Sequence, residues 1–116
     1  MANPVVHFEI GCRNRGETAQ FYADLFGWSI AATGVASEIQ AALPGGIPGH
    51  ISSLGHEPHN YTMIYVEVPD AAAHLAKVES LGGKVIVPPI PIPMGIFAWF
   101  ADPEGNRVGI LQRKPA

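Results

Sequence analysis

The chain has 116 residues and a formal net charge of −3 at pH 7, with 47% hydrophobic and 15% charged residues. This size predicts one domain with a modest core, and this charge gives no electrostatic basis for binding nucleic acid or an anionic membrane. The one cysteine, Cys12, excludes an internal disulfide and is typical of a reducing compartment. No apolar run approaches the ~18 residues that span a bilayer, and residues 1–4 lack a signal-peptide pattern, so a cytoplasmic protein is expected.

The first half of the chain predicts a strand, a helix and further strands. Val5–Ile10 alternates apolar residues with His7 and Glu9, which predicts a strand whose apolar face meets a helix. Asn14 begins a capping-box pattern, so a helix is expected there, with an apolar stripe and an end at Gly27. The remaining segments are strands at 28–32, 38–43 and 51–54, and a polar connector at His56–Asn60.

The second half repeats this order of elements. Tyr61–Val68 is the clearest strand, and Asp70 is a good N-cap for a helix that continues to Leu81. The proline-rich residues 88–93 predict an edge or a loop, because proline donates no hydrogen bond to a ladder. Further strand-forming segments are at 84–87, 97–100 and 108–112, with a turn at 102–106.

The repeat predicts two βαβββ modules, at about 5–55 and 61–112. Glu9 and Glu67 hold matching places 58 residues apart, which is half of the chain length. The expected fold class is α+β, with curled mixed sheets around a cleft and one helix per module on the outer face. Apolar walls with a few convergent polar groups suit a small-molecule ligand.

Side chains of the uncovered sheet face and of the last hairpin are the candidates for lining this cleft. The candidate ligand-binding residues are His7, Tyr65, Met63, Met94, Phe97 and Trp99. The alternative for His7, Glu9, Tyr65 and Glu67 is a structural network of cross-strand pairs, each of which contributes ~0.2–1 kcal/mol. The alternative for Trp99 is core packing.

Three segments resemble the vicinal oxygen chelate superfamily, which includes glyoxalase I, bleomycin-resistance proteins and extradiol dioxygenases. They read FEI…GETAQFYADLFGW, YVEV…LGGKV and MGIFAWFADPEGNRVGILQ. The similarity extends from about Val5 to Gln112, and the ending FADPEGN resembles a small glyoxalase-related branch of the superfamily. The resemblance implies a paired βαβββ fold and a homodimer.

In metal-using members, the resemblance implies a divalent ion (Zn, Ni, Fe or Mn) held by the first and last strands of each module. His7 is the only matched candidate ligand. Met63 or Tyr65 falls at the corresponding place in the second module, Gly109 replaces the expected carboxylate, and His50 is the one candidate for the fourth position. No metal cofactor is assigned, because one firm ligand does not hold a metal. A divalent metal site stays open as an alternative in which Glu9 or Glu67 supplies a missing ligand.

Two functions remain open, and both involve a small organic ligand. The first is a glyoxalase-like lyase or isomerase, or a ring-cleaving relative, with Glu9 or Glu67 as catalytic base and His7 as a ligand or acid. The second is a metal-free protein that binds or sequesters an aromatic or drug-like ligand. This ligand stacks on Trp99, Phe97 or Tyr65 and contacts Glu67.

Overall fold

The computed structural model describes residues 2–54 and 58–114. Within them the chain has two helices and eight strands in the order βαβββ–βαβββ, so the predicted class, α+β with two such modules, is confirmed. The elements are β1 (Val5–Gly11), α1 (Arg15–Phe26), β2 (Ile30–Thr33), β3 (Ala36–Ile39), β4 (Gly49–Ser52), β5 (Tyr61–Glu67), α2 (Ala71–Ser80), β6 (Lys84–Ile92), β7 (Gly95–Ala101) and β8 (Arg107–Arg113). No helix in these described parts is long and apolar enough to cross a membrane.

The chain separates into two compact units with the same strand arrangement. The first unit is His7–Met63, and the second comprises the described residues of Met1–Val6 and Ile64–Ala116. In the first unit the strands lie in the order β2-β3-β4-β1, and in the second in the order β6-β7-β8-β5. In each unit the first and last strands are parallel and the other neighbours are antiparallel. This equivalence is what the internal repeat predicted.

Helix α1 begins and ends where the sequence predicted. The Asn14 side chain accepts a hydrogen bond from the Glu17 backbone N–H at 2.9 Å. At the other end Gly27 takes a left-handed conformation (φ 69°), and its N–H reaches the carbonyl oxygen of Ala23. Left-handed backbone is cheap only for glycine, which explains why the helix ends at this residue.

The apolar stripe of α1 is less buried than the sequence suggested. The helix contacts its sheet through Ala19 and Tyr22, which pack on a core made of Ile10, Cys12, Ile39 and Ile51. Phe21, Leu25 and Phe26 instead remain 57–59% exposed. A 12-residue helix on a four-stranded sheet buries only the side chains that point directly at the sheet. The apolar side chains on either side of that line therefore remain exposed to solvent.

The three short strands of the first unit are offset by about two residues from their predicted places. Trp28 was assigned to a strand, but it lies before β2 and stacks on Tyr22, with ring centroids 5.4 Å apart and planes 14° from parallel. Packing of this large ring therefore overrides its strand propensity. Of the predicted connector His56–Asn60, residues 56 and 57 lie outside the described part of the chain.

The second unit follows its predicted outline closely. The Asp70 side chain caps α2 by accepting from the Ala73 N–H at 3.1 Å. The helix packs on a core made of Val68, Ala71, Leu75, Ala98 and Ile110. The proline-rich segment belongs to β6, which is the edge strand of this unit, and its register with β7 shifts twice. In the β7–β8 turn, Asp102 accepts from the backbone N–H groups of Glu104 and Asn106.

Candidate functional site

Four side chains connected by hydrogen bonds lie on the first unit, on the sheet face opposite α1. Strand alternation places His7 and Glu9 on this face of β1, and the parallel register sets His50 of β4 beside Glu9. His7 Nε2 is 2.7 Å from His50 Nδ1, and His50 Nε2 is 3.2 Å from Glu9 Oε1. The Tyr61 hydroxyl donates to Glu9 Oε2. We call these four residues the polar row.

Burial makes the polar row more than a set of surface pairs. Glu9 is 3% exposed, and the His50 side chain is 24% exposed. A buried carboxylate is costly unless hydrogen bonds replace its lost hydration, and His50 and Tyr61 supply them. Burial and the hydrogen bond and charge of Glu9 raise the pKa of Tyr61 well above its usual value, so its hydroxyl remains a donor at neutral pH.

The polar row has the connectivity of a proton relay. When His50 donates from Nε2 to Glu9, its Nδ1 accepts from Nε2 of His7, and a proton that arrives at Nδ1 of His7 can be passed inward. The positive charge then rests on His50, beside the Glu9 carboxylate. A carboxylate that orients an imidazole and stabilises its protonated form is a recurring arrangement for general-base chemistry.

The donor set does not fit the metal arrangement that the resemblance implies. Both ring nitrogens of His50 are engaged, by His7 and by Glu9. In residues 2–54 and 58–114, no group of three or more His, Cys, Asp or Glu side chains is arranged to hold a metal ion. At Gly109, a Cβ would lie 2.4 Å from the ring of Tyr65, so a carboxylate there requires that ring to move.

Two of the predicted ligand-binding residues lie in the interior of the second unit. Trp99 is 1% exposed and Tyr65 is 6% exposed. The Trp99 indole N–H donates to the Tyr65 hydroxyl at 2.8 Å. Phe97 is half-buried two residues before Trp99, and Met94, in the turn between β6 and β7, is 42% exposed. Their roles in binding a ligand stay predictions.

Glu67 has different surroundings from its sequence counterpart Glu9. Its side chain is 37% exposed and accepts a hydrogen bond from Arg113 Nε at 3.0 Å. It lines an open groove of about 380 Å³. The other residues of this groove are Asn3, Pro4, Val68, Pro69, Arg113 and Lys114. The internal repeat therefore preserved a glutamate at both positions but not its hydrogen-bonding partners, and a catalytic role for Glu67 remains a prediction.

Met63, which the sequence also predicted to contact a ligand, lies in the first unit and is 4% exposed.

Sequence reasoning missed Tyr61 and gave His50 only as a candidate for an incomplete metal set. The signal for Tyr61 was present, because alternation along β5 puts residues 61, 63, 65 and 67 on one face. The signal for His50 was not, because the pairing of β4 with β1 joins residues more than 40 positions apart.

A second feature of the first unit is an apolar pocket of about 180 Å³ on the α1 side of the sheet. It is lined by Phe8, Trp28, Ile39, Gln40, Ala42, Leu43, Gly46 and Ile47. Phe8 reaches it because Gly49 on β4 has no side chain, and a Cβ there would lie 2.6 Å from the Phe8 ring. The lining carries no charge, which suits an uncharged ring.

A family model described as the Glyoxalase/Bleomycin resistance protein/Dioxygenase superfamily matches residues 5–110 of the chain. Among curated proteins, a protein of Mycobacterium tuberculosis provisionally named glyoxylase CFP32 is 40% identical over 57 residues, which cover 48% of this chain and 22% of that protein. The anthracycline biosynthesis protein DnrV of Streptomyces peucetius is 27% identical over 91% of this chain and 46% of its own length. The chain thus spans less than half the length of these relatives.

Solved structures of low sequence identity share the fold. The hypothetical protein BH1468 of Bacillus halodurans superimposes with a TM-score of 0.75 at 14% identity, over 100% of this chain and 98% of that one. Methylmalonyl-CoA epimerase of Streptomyces coelicolor gives a TM-score of 0.70 at 16% identity, over 96% and 97% of the two chains. At these identities the likeness concerns the fold alone.

Proposed function

Because the chain belongs to the Glyoxalase/Bleomycin resistance protein/Dioxygenase superfamily, we propose that it binds a small carbonyl compound and moves protons on it, as a glyoxalase-like lyase or isomerase. The observation that carries the proposal is the polar row of Glu9, His50, His7 and Tyr61. A relative named a glyoxylase and one named for anthracycline biosynthesis are both consistent with a small organic ligand.

The proposed chemistry begins with the breaking of a C–H bond beside the carbonyl group. The proton passes to Nδ1 of His7, and the electron pair remains on the substrate as an enolate. The proton on Nε2 of His7 moves to Nδ1 of His50, and Glu9 stabilises the imidazolium that results. In a substrate that carries a hydroxyl group on the deprotonated carbon, the hydroxyl proton moves to the former carbonyl oxygen. The proton then returns from the polar row to the neighbouring carbon, which gives the isomeric carbonyl compound and restores the polar row.

The neutral structural alternative is a network that only supports the sheet. A single cross-strand pair already stabilises a sheet by ~0.2–1 kcal/mol. The polar row instead connects four side chains on three strands by hydrogen bonds, which is more than support of the sheet requires. Burying a carboxylate on this face is also costly compared with an apolar pair of the same size. Both points favour a role in binding or catalysis.

The test is exchange of the carbon-bound proton with solvent. The protein is incubated in D2O with adducts of 2-oxoaldehydes and small thiols, which carry a C–H bond beside a carbonyl, and the C–H signal is followed by proton NMR in the presence and absence of a chelator. We expect His7→Gln to slow exchange about 100-fold or more, in line with loss of a general base. His74→Gln, on α2 in the second unit, is the matched control. Equal rates for the wild type and His7→Gln would overturn the proposal.

The second candidate function is metal-free binding of a planar aromatic molecule. The observation that favours it is the uncharged pocket of about 180 Å³ beside Trp28, a volume that admits one or two rings. Trp28 and Trp99 are the two tryptophans of the chain, and Trp99 is fully buried in the second unit. In this case aromatic compounds quench the fluorescence of Trp99→Phe but not that of Trp28→Phe. Quenching of neither variant by a panel of mono- and bicyclic aromatics would exclude this candidate.

A homodimer and a cytoplasmic location, both expected from the sequence, remain proposals. The family resemblance and the low charge content support the first. Sedimentation equilibrium over a range of concentrations tests it, and a single species of 12.3 kDa at every concentration would contradict it.

A further inference from the structure

A single loop supplies most of the lining of the apolar pocket in the first unit. This loop, residues 40–48 between β3 and β4, contributes five of the eight lining residues, namely Gln40, Ala42, Leu43, Gly46 and Ile47. The other three are Phe8, Trp28 and Ile39, which belong to the core of this unit or pack against it. The pocket is therefore a space between a packed core and one loop.

Hydrogen bonds attach this loop to the sheet at both ends. The Gln40 N–H donates to the Ser29 carbonyl oxygen at 3.1 Å, and the Pro48 carbonyl oxygen accepts from the Phe8 N–H at 3.3 Å. A movement of residues 41–47 toward the pocket leaves both of these bonds in place. The ends of the loop thus serve as fixed points about which the part between them can rotate.

The middle of the loop is a preformed turn. The Gly46 N–H donates to the Leu43 carbonyl oxygen at 2.9 Å. Pro44 fixes φ at the first corner of the turn, and Gly45 takes the second corner with φ 90°, as in a type II turn. Because the turn is already ordered, it can change position as one piece, and little further backbone entropy is lost.

The turn carries a large apolar side chain that is exposed beside the apolar pocket. Leu43 is 72% exposed although it belongs to the pocket lining, and Ile47 is 40% exposed. A ligand that fills the pocket gives Leu43 an apolar surface to cover, and contact between the two removes both surfaces from water. None of the eight lining residues is ionisable, so this surface suits an uncharged ring.

We propose that residues 41–47 form a lid, and that Leu43 closes over an uncharged aromatic ligand held against Trp28 and Phe8. The rings of Phe8 and Trp28 have centroids 5.6 Å apart and planes tilted by 55°, so each offers a separate apolar surface to the ligand. The proposal rests on the second candidate function, metal-free binding of a planar aromatic molecule, and adds to it the element that encloses the ligand. The polar row lies on the opposite face of the sheet and takes no part.

The test is a titration with indole, an uncharged two-ring compound, followed by NMR of the methyl groups. The shifts of the Ile39 and Ile47 methyl signals give the dissociation constant. We expect Leu43→Ala to weaken binding about 5–30-fold, because closure of the lid buries the leucine side chain that this variant lacks. Leu54→Ala removes a leucine of similar exposure, 62%, from the same unit outside the pocket, and as the matched control it leaves the affinity unchanged.

Two further measurements distinguish a lid that moves from a wall that does not. Bound indole should show Overhauser contacts to the Leu43 methyl groups, and it should slow hydrogen exchange of the Gly46 amide, since closure shields the turn from water. Leu43→Met, which keeps an apolar side chain of similar size, should retain the affinity within about 2-fold. Equal exchange of the Gly46 amide with and without bound indole would overturn the lid.

The outcomes separate the lid from the function on which it rests. If indole binds to the wild type and to Leu43→Ala with equal affinity, the binding function stands and the lid fails. If none of indole, toluene and naphthalene shifts the Ile39 and Ile47 signals of the wild type, the second candidate function fails and the lid fails with it.

Discussion

The substitution Gly109→Ala tests whether the second unit needs a glycine beneath Tyr65. A Cβ at this position would lie 2.4 Å from Cδ2 of the Tyr65 ring, whereas ordinary contacts begin at 3.4 Å. The ring must therefore move by about 1 Å (3.4 − 2.4). It has little freedom to do so, because Tyr65 is 6% exposed and its hydroxyl accepts the indole N–H of Trp99 at 2.8 Å.

The expected cost of Gly109→Ala combines three effects. Overpacking a rigid interior costs about 1–3 kcal/mol, and a strained or lost Trp99–Tyr65 hydrogen bond costs about 0.5–1.5 kcal/mol. Alanine is better than glycine within a strand by about 0.5–1 kcal/mol, which offsets part of this. The free energy of unfolding should thus fall by about 1–3 kcal/mol, which corresponds to a Tm lower by about 4–12 °C.

Urea denaturation followed by circular dichroism measures this change, with Gly34→Ala as the control. A Cβ at Gly34 meets no atom within 4 Å, so that variant should stay within about 0.5 kcal/mol of the wild type. In a Tyr65→Leu background, which removes the ring, the cost of Gly109→Ala should largely disappear. A Gly109→Ala protein as stable as the wild type, or an undiminished cost in that background, would refute the reasoning.

Three further predictions concern caps and charges. Asn14→Ala, which removes the N-cap of α1, should lower the free energy of unfolding by about 1 kcal/mol in the same assay, and no change would show that the cap is dispensable. The Asn106 hydrogen bonds hold the pKa of Asp102 below its ordinary 3.8. Ionised Asp102 therefore stabilises the folded protein at pH above 3.8, and this contribution is lost as the pH falls through the lower pKa of the folded state. Asp102→Asn should reduce the loss of stability at acid pH. An acid slope equal to that of the wild type would contradict this. Glu67→Gln should cost at most about 0.5 kcal/mol, less in high salt, because its ion pair with Arg113 is largely exposed, and a larger cost would indicate a further role for Glu67.

Local chemistry along the chain was sufficient to predict most of the fold. Asn14 and Asp70 cap the helices, Gly27 ends the first, and the turn at 102–106 joins the last two strands, as predicted. These features depend on residues a few positions apart, which is why the sequence reveals them. The strands between 28 and 54 were displaced by about two residues, because the ring stack of Trp28 and its pairing partners are set by packing rather than by propensity.

The candidate site was only partly predictable for the same reason. Alternation along β1 revealed that His7 and Glu9 share a face, and the internal repeat related Glu9 to Glu67. The structure gave these two carboxylates opposite environments, one buried between His50 and Tyr61 and the other exposed beside Arg113. Nothing in the spacing of the residues distinguishes the two.

The sequence by itself determined the family, the two βαβββ modules and the residue types on each strand face, because periodicity, caps and turns act over short distances. Only the tertiary structure decided which polar groups meet. The parallel pairing of β4 with β1 brings His50 to Glu9, and the lack of a side chain at Gly11 admits Tyr61. Contacts between residues 41–52 positions apart depend on strand register and on available space, and the local sequence specifies neither.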